Sequence, residues 1–161
     1  MASPTYELRP IGTVRSSNGA FRIELDEPFR PALEGLAGFG HAVVVFWCHL
    51  VDNDEMRQAV ICERPYTKGP ETLGIFATRS PVRPNPVGIT AVQLAAVDVE
   101  QGIIEVPFID AEDGTPVLDL KPYQPSVDRV RDVRMPDWCS HWPAWLEDSG
   151  SFDWEAELNF S

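Results

Sequence analysis

Apolar and polar positions alternate along residues 20–25, where Phe21, Ile23 and Leu25 oppose Ala20, Arg22 and Glu24. That is the period of a half-buried strand. Residues 6–14 read as a strand before it. Residues 26–35 predict a short helix, with Asp26 near its start, Pro28 in the first turn and Gly35 near its end. Residues 42–51 are β-branched and aromatic on both faces and predict a central strand, and residues 57–62 a shorter one. Residues 73–77 lead into a proline-rich loop. Residues 87–99 and 102–108 read as two long strands joined by a turn at 100–102. Asp113–Gly114 is a turn signal ahead of a strand over residues 116–120. Seven or eight strands with one or two short helices predict an all-β fold, a barrel or a sandwich. After Asp128 the alternation stops. Residues 129–161 predict a Trp-rich, acidic C-terminal strap belonging to the same domain as residues 1–128. Its one short helix is expected within residues 137–148, packed by Trp138, Trp142 and Trp145.

Composition changes this picture little. The 161 residues are 43% hydrophobic, enough for a single globular core. The longest apolar run, residues 42–51, is broken by His49 and is too short to cross a bilayer, so no membrane partner is expected. The start, MASPTYELRP, lacks the basic and apolar regions of a secretion signal. The three cysteines, Cys48, Cys62 and Cys139, have no CxxC spacing, and a reduced cytoplasmic protein is the plain reading. Charge changes more. A net charge of −12 counts against nucleic acid as a partner, because such binding draws on neutralised phosphates. Yet four of the thirteen basic residues, Arg64, Lys68, Arg79 and Arg83, fall within twenty positions.

Candidate chemistry starts at residues 79–88, RSPVRPNPVG. Pro81, Pro84 and Pro86 exclude helix and central strand, fix their own φ, and push each preceding residue toward extended backbone. A stiff loop results. Arg79 and Arg83 on it could offer guanidinium donors to a carboxylate or phosphate at small entropic cost, or pair with surface acids as a plain connector. Residues 119–128, DLKPYQPSVD, repeat the design: Lys121 beside Asp119 and Tyr123 suits an acid–base group, an anion site or a simple turn. Alternation places His49 near the end of the central strand, on the face of Val43, Val45 and Trp47; it suits a core histidine as well as a ligand contact. Cys139 and His141 lack a second ligand pair, and no metal is expected. GxGxxG, Walker, HExxH and GxSxG motifs are absent, which removes support for nucleotide folds and common hydrolases.

Together these segments resemble the TsaA-like family, also called YaeB or TrmO. The resemblance spans about residues 6–128. It rests on PIGTVRS (10–16), GLAGFGH (35–41) leading to Phe46 and His49, GIFATRSPVRPNPVGIT (74–90), and DGTPVLDLKPYQP (113–125). It implies an S-adenosylmethionine-dependent methyltransferase on a small antiparallel β-barrel, dimeric, with the cofactor near the subunit interface. The family's activity is N6-methylation of threonylcarbamoyl-adenosine at tRNA position 37. Carried onto this chain, His49, Leu50, Arg79, Ile89 and the run Phe108, Ile109, Asp110 would line the cofactor pocket. Asp119, Lys121, Pro122 and Tyr123 would build its neighbouring wall. Lys121 and Tyr123 are the candidate catalytic residues for assisting proton loss from a poorly nucleophilic amine. The chain departs from the family pattern in three ways. It lacks the extra Pro-Gly loop that many members carry between Ser16 and Asn18. It has only the strap where some bacterial members have a further domain. It is strongly acidic. Methylation of tRNA, methylation of a small molecule, and cofactor binding without catalysis all remain open on this reading.

Overall fold

The computed structural model describes residues 4–159, so the first three positions of the predicted non-signal start and the last two of the predicted strap lie outside it. The described residues form two compact units, one of residues up to 52 with 85–129, the other of residues 53–84 with those from 130 onward.

The first unit is an antiparallel sheet of seven strands. They are β1 (Gly12–Ser17), β2 (Ala20–Leu25), β3 (His41–Trp47), β6 (Val87–Gln93), β7 (Ala96–Asp98), β8 (Ile103–Val106) and β9 (Pro116–Pro122), in the order β6-β3-β9-β1-β2-β8-β7. Strand β2 matches its predicted bounds. The first strand does not: it begins at Gly12 rather than Tyr6, and Tyr6 and Leu8 stay exposed. Proline at position 10 cannot donate to a ladder, whereas Asn18 and Gly19, both at positive φ, close a tight hairpin that pulls the strand forward to Ser17. The predicted helix at 26–35 is a 3-10 helix over Glu27–Leu33 that carries Pro31 inside it.

The single strand predicted over 87–99 breaks at Leu94–Ala95. Leu94 N donates to Gly40 O, beside β3, and Ala95 N donates to Glu105 O, on β8. Two residues therefore join the opposite edges of the sheet, which requires the sheet to curl until those edges approach. Among the described residues no ladder pairs β6 with β7. The core lies on the inner face, where Val14, Ile23, Val44, Ile104 and Val117 have no exposure. Each such side chain stabilises by about 1.5–3 kcal/mol relative to leaving it in water. A bulge between Val45 and Phe46 pairs Phe46 with Val117 and skips Leu118, so Val117 and Leu120 both reach the core while Asp119 turns outward.

In the second unit, β4 (Ile61–Glu63) pairs with β5 (Thr72–Gly74). The strand predicted from residue 57 starts later, because Asn53 holds residues 56–57 in a 3-10 turn through Met56 N (2.9 Å) and Arg57 N (3.0 Å). The rest of this unit is built on aromatic rings. Trp138 stacks on Tyr66 at 5.2 Å, Trp142 meets both edge-on, and Trp154 and Phe152 continue the array. Trp145 is 58% exposed, and Trp154 holds the place expected of it. Instead of one helix within 137–148 there is a 3-10 turn at Asp137–Cys139, followed by two single turns, α2 (Leu146–Ser149) and α3 (Trp154–Glu157). Residues 157–159 are tied to residues 65–67 by Thr67 N to Glu157 O (2.9 Å) and Asn159 N to Pro65 O (3.0 Å). One further helical turn, α1 (Pro125–Asp128), ends the first unit's second segment.

Candidate functional site

Three neighbouring strands of the first unit present their outward positions together. Ile89 on β6, Val45 on β3 and Asp119 on β9 form one cross-strand row, and Ala91, Val43 and Lys121 form the next. Tyr123 follows at the strand end, where its N–H donates to His41 O at 2.9 Å and its ring meets the His41 imidazole edge-on at 6.3 Å. Four of the residues singled out in the sequence, Ile89, Asp119, Lys121 and Tyr123, thus share one sheet face with His41 and Trp47. On this face the apolar Val43, Val45, Ile89 and Ala91 lie beside His41, Gln93 and one ion pair, Lys121 Nζ to Asp119 Oδ2 at 2.6 Å. Asp119 also accepts from the Leu120 N–H through Oδ1 at 2.9 Å. Its hydrogen bond first, and its charge second, push the Lys121 ammonium above the ordinary lysine value. The pair thus favours the protonated, cationic form of Lys121.

His49 is placed differently from its prediction. Strand β3 ends at Trp47, and His49 opens a 3-10 turn, His49–Val51, instead of continuing the face of Val43 and Val45. The turn is held at both ends: Cys48 N donates to Pro86 O at 2.7 Å, and the Trp47 indole donates to Asp52 Oδ2 at 2.8 Å. Leu50 at its tip is 67% exposed. Pro122 lies opposite Ala42 and so on the other parity of β9. Phe108, Ile109 and Asp110 follow β8, which β1 and β2 separate from β9 in the sheet. Phe108 packs edge-to-face on Phe21 at 5.5 Å, while the Ile109 side chain is in the core at 2% exposure, which leaves only its backbone for a ligand.

In the second unit the arginine loop is stiffened by hydroxyls that sequence reasoning passed over. Thr78 Oγ1 donates to Ile75 O (2.9 Å), Ser80 N donates to Thr78 Oγ1 (3.2 Å), and Val82 N donates to Ser80 Oγ (3.2 Å). A Thr-x-Ser run ahead of the prolines was the available signal. Arg79 is exposed, and its backbone hydrogen-bonds the Tyr66 hydroxyl, whose acidity burial lowers more than that bond restores. Of the other clustered cations, Arg64 pairs with Glu71, and the charge of Lys68 acts on the buried Glu157. Cys139 donates to Pro136 O and His141 pairs with Glu157, so neither is turned toward the other as a ligand set. Among the described residues no group of three or more His, Cys, Asp or Glu is arranged to hold a metal ion, and no helix is long and apolar enough to cross a membrane. A groove of about 430 Å³ lies between Arg15, Glu24, Glu27 and Arg30 and contains none of these candidates. It is a polar cleft edged by the Arg15–Glu24–Arg22 ion pairs.

Residues 5–129 match the family described as tRNA-methyltransferase O N-terminal domain. The chain belongs to this family. A probable S-adenosyl-L-methionine-binding protein of Methanothermobacter thermautotrophicus is 35% identical over 81% of this chain and 98% of its own length. The tRNA (adenine(37)-N6)-methyltransferase of Escherichia coli is 35% identical over 78% of this chain, which spans 53% of that enzyme. A crystal structure of TrmO from Pseudomonas aeruginosa superposes with a TM-score of 0.62 and 34% identity, over 81% of this chain and 62% of that one. The chain thus spans nearly all of the archaeal relative but little more than half to three fifths of the bacterial ones. The residues that match the family include all seven strands of the first unit's sheet.

Proposed function

We propose that this TrmO-family chain is an S-adenosylmethionine-dependent methyltransferase that N6-methylates modified adenosine at tRNA position 37. The observation that carries this reading is the outward face of β6-β3-β9, which gathers Ile89, Asp119, Lys121 and Tyr123 within a chain similar to named cofactor-binding proteins and to a named tRNA methyltransferase. The donor set fits the cofactor. Val43, Val45 and Ile89 suit an adenine face, Asp119 suits hydroxyls or a sulfonium cation, and the exposed Arg79 guanidinium suits a carboxylate. When bound, S-adenosylmethionine would supply a methyl group activated on sulfur.

The chain's own residues position and exclude. His49, Leu50, Ile89, Phe108, the Ile109 backbone, Asp110, Asp119 and Pro122 are assigned to holding the cofactor, with Arg79 taking its carboxylate. Methyl transfer depends above all on in-line placement. Lys121, held as a cation, is assigned to polarising or anchoring the acceptor, which leaves Tyr123 or an acceptor-side group to receive the amine proton. The same reading takes the curled sheet as a β-barrel, residues 129–161 as a strap, the protein as a cytoplasmic homodimer, and the exposed Leu50 and Ile89 as positions a second copy can cover. Mass spectrometry of tRNA from a deletion strain tests the activity: the N6-methylated form of the modified adenosine should disappear and return on complementation. An unchanged nucleoside profile would exclude the tRNA reading and leave cofactor binding to be judged by calorimetry.

A further inference from the structure

The 3-10 turn Ile75–Ala77 holds two neighbouring side chains in opposite environments. Ile75 is 3% exposed, and Phe76 is 80% exposed. The turn is pinned at Ile75 by its N–H to Val60 O (3.0 Å) and by Thr78 N and Thr78 Oγ1 to Ile75 O (3.1 and 2.9 Å). Phe76 therefore cannot reach shelter by a small loop movement. Above one face of its ring stands the Arg83 guanidinium, 5.9 Å from the centroid, with Nη1 directed at Ser80 O (3.4 Å). Pro81 and Pro84 fix the segment that carries Arg83. Val60 and Ile61, 65% and 56% exposed, extend the apolar surface beside the turn.

Charge identifies what such a surface fits. Between Glu71 and Asp98 the chain has no acid, and its only charged residues are Arg79 and Arg83. In a protein of net charge −12 this is the stretch where a polyanion can approach without repulsion from its own neighbours in sequence. A rigid, solvent-facing aromatic ring with a planar cation beside it is the arrangement that stacks an unpaired nucleobase and steadies its phosphate.

We propose that Phe76 and Arg83 form a nucleobase-stacking platform that holds an unpaired base of the RNA substrate. This rests on the tRNA reading above and assigns that substrate side chains other than those assigned to the cofactor. It requires single-stranded RNA, since a base within a duplex has no free face.

Fluorescence anisotropy with a labelled anticodon-arm RNA tests this. A second probe is the same arm with its loop closed by a complementary strand. The open arm should bind more tightly than the closed one. Phe76→Ala should weaken binding of the open arm about tenfold, and Phe76→Trp should retain it. Arg83→Ala should weaken binding and flatten its salt dependence. All three variants should keep wild-type S-adenosylmethionine affinity by calorimetry, which also shows that they are folded. Wild-type RNA binding by Phe76→Ala, or equal affinity for the open and closed arms, would overturn the platform alone. A drop in mass of Phe76→Ala by light scattering would instead assign the surface to a second copy of the chain and overturn it too. If the wild-type protein binds the cofactor but no RNA, the tRNA reading itself fails.

Discussion

The Lys121 ammonium lies 2.6 Å from the carboxylate of Asp119, two residues earlier on β9, and both face outward on the sheet. Because the pair raises the Lys121 pKa, proton removal by this lysine would need conditions more alkaline than an ordinary lysine requires. Lys121→Gln should therefore lower the methyl-transfer rate without removing a limb from the pH–rate profile between about pH 6 and 9. Loss of an alkaline-rising limb in the variant would make Lys121 the base.

Arg79 is the guanidinium assigned to the cofactor carboxylate. Removing a charge-assisted hydrogen bond costs about 1.5–3 kcal/mol. Calorimetric titration of Arg79→Ala with S-adenosylmethionine should show Kd raised by roughly tenfold to a hundredfold, with Arg79→Lys between the two because lysine keeps the charge and loses the planar fork. An unchanged Kd in the alanine variant would take Arg79 out of the site.

Gly88 on β6 is a position where the backbone meets a ring. A Cβ there would fall 2.3 Å from Cε2 and Cζ of Phe46, which is itself buried at 7% exposure. Gly88→Ala should destabilise the protein by roughly 1–3 kcal/mol, the usual cost of overpacking, read as a lowered Tm. Adding Phe46→Leu should recover part of that loss. Two independent, additive decreases would show that the contact is not the cause.

Glu157 is a buried carboxylate whose Oε2 meets His141 Nε2 at 2.9 Å. Burial pushes its pKa up, but the hydrogen bond from His141, the nearby Trp142 indole N–H and the charges of His141 and Lys68 outweigh it, and the net shift is downward. The indole falls short of hydrogen-bond geometry with the carboxylate. A folded pKa below the unfolded one stabilises the protein at pH above the unfolded value, and that stability is lost as pH falls through the folded value. Glu157→Gln should thus lower stability by about 1–3 kcal/mol at neutral pH and by progressively less below the carboxylate range. A stability difference that does not change with acidification would contradict this assignment.

Much of the fold was legible where one side chain pattern had one solution. The alternation of Phe21, Ile23 and Leu25 determined β2 to the residue. Asn18–Gly19 carries the hairpin signal that moves β1 forward of the apolar start at Tyr6. Residues 87–93 and 96–98 looked like one strand because period-two patterning says nothing about which neighbour a backbone bonds; Leu94 and Ala95 switch partners from Gly40 to Glu105, and only the curl of the sheet makes that switch possible. The aromatic tail shows the same limit, since Tyr66, eighty-eight positions before Trp154 in the numbering, is what its rings pack around.

The sequence by itself determined the family, the strand-rich class, the stiffness of the proline loop and the identity of its arginines, because these depend on residue type and local backbone restriction. Tertiary structure decided the rest. A bulge opposite Phe46 turned Asp119 outward beside Lys121, the end of β3 at Trp47 took His49 off the sheet face and into a turn, and the anchoring of Ile75 left Phe76 in solvent. Each of these depends on hydrogen bonds or ladder register between residues far apart in the chain, and a linear pattern carries no record of them.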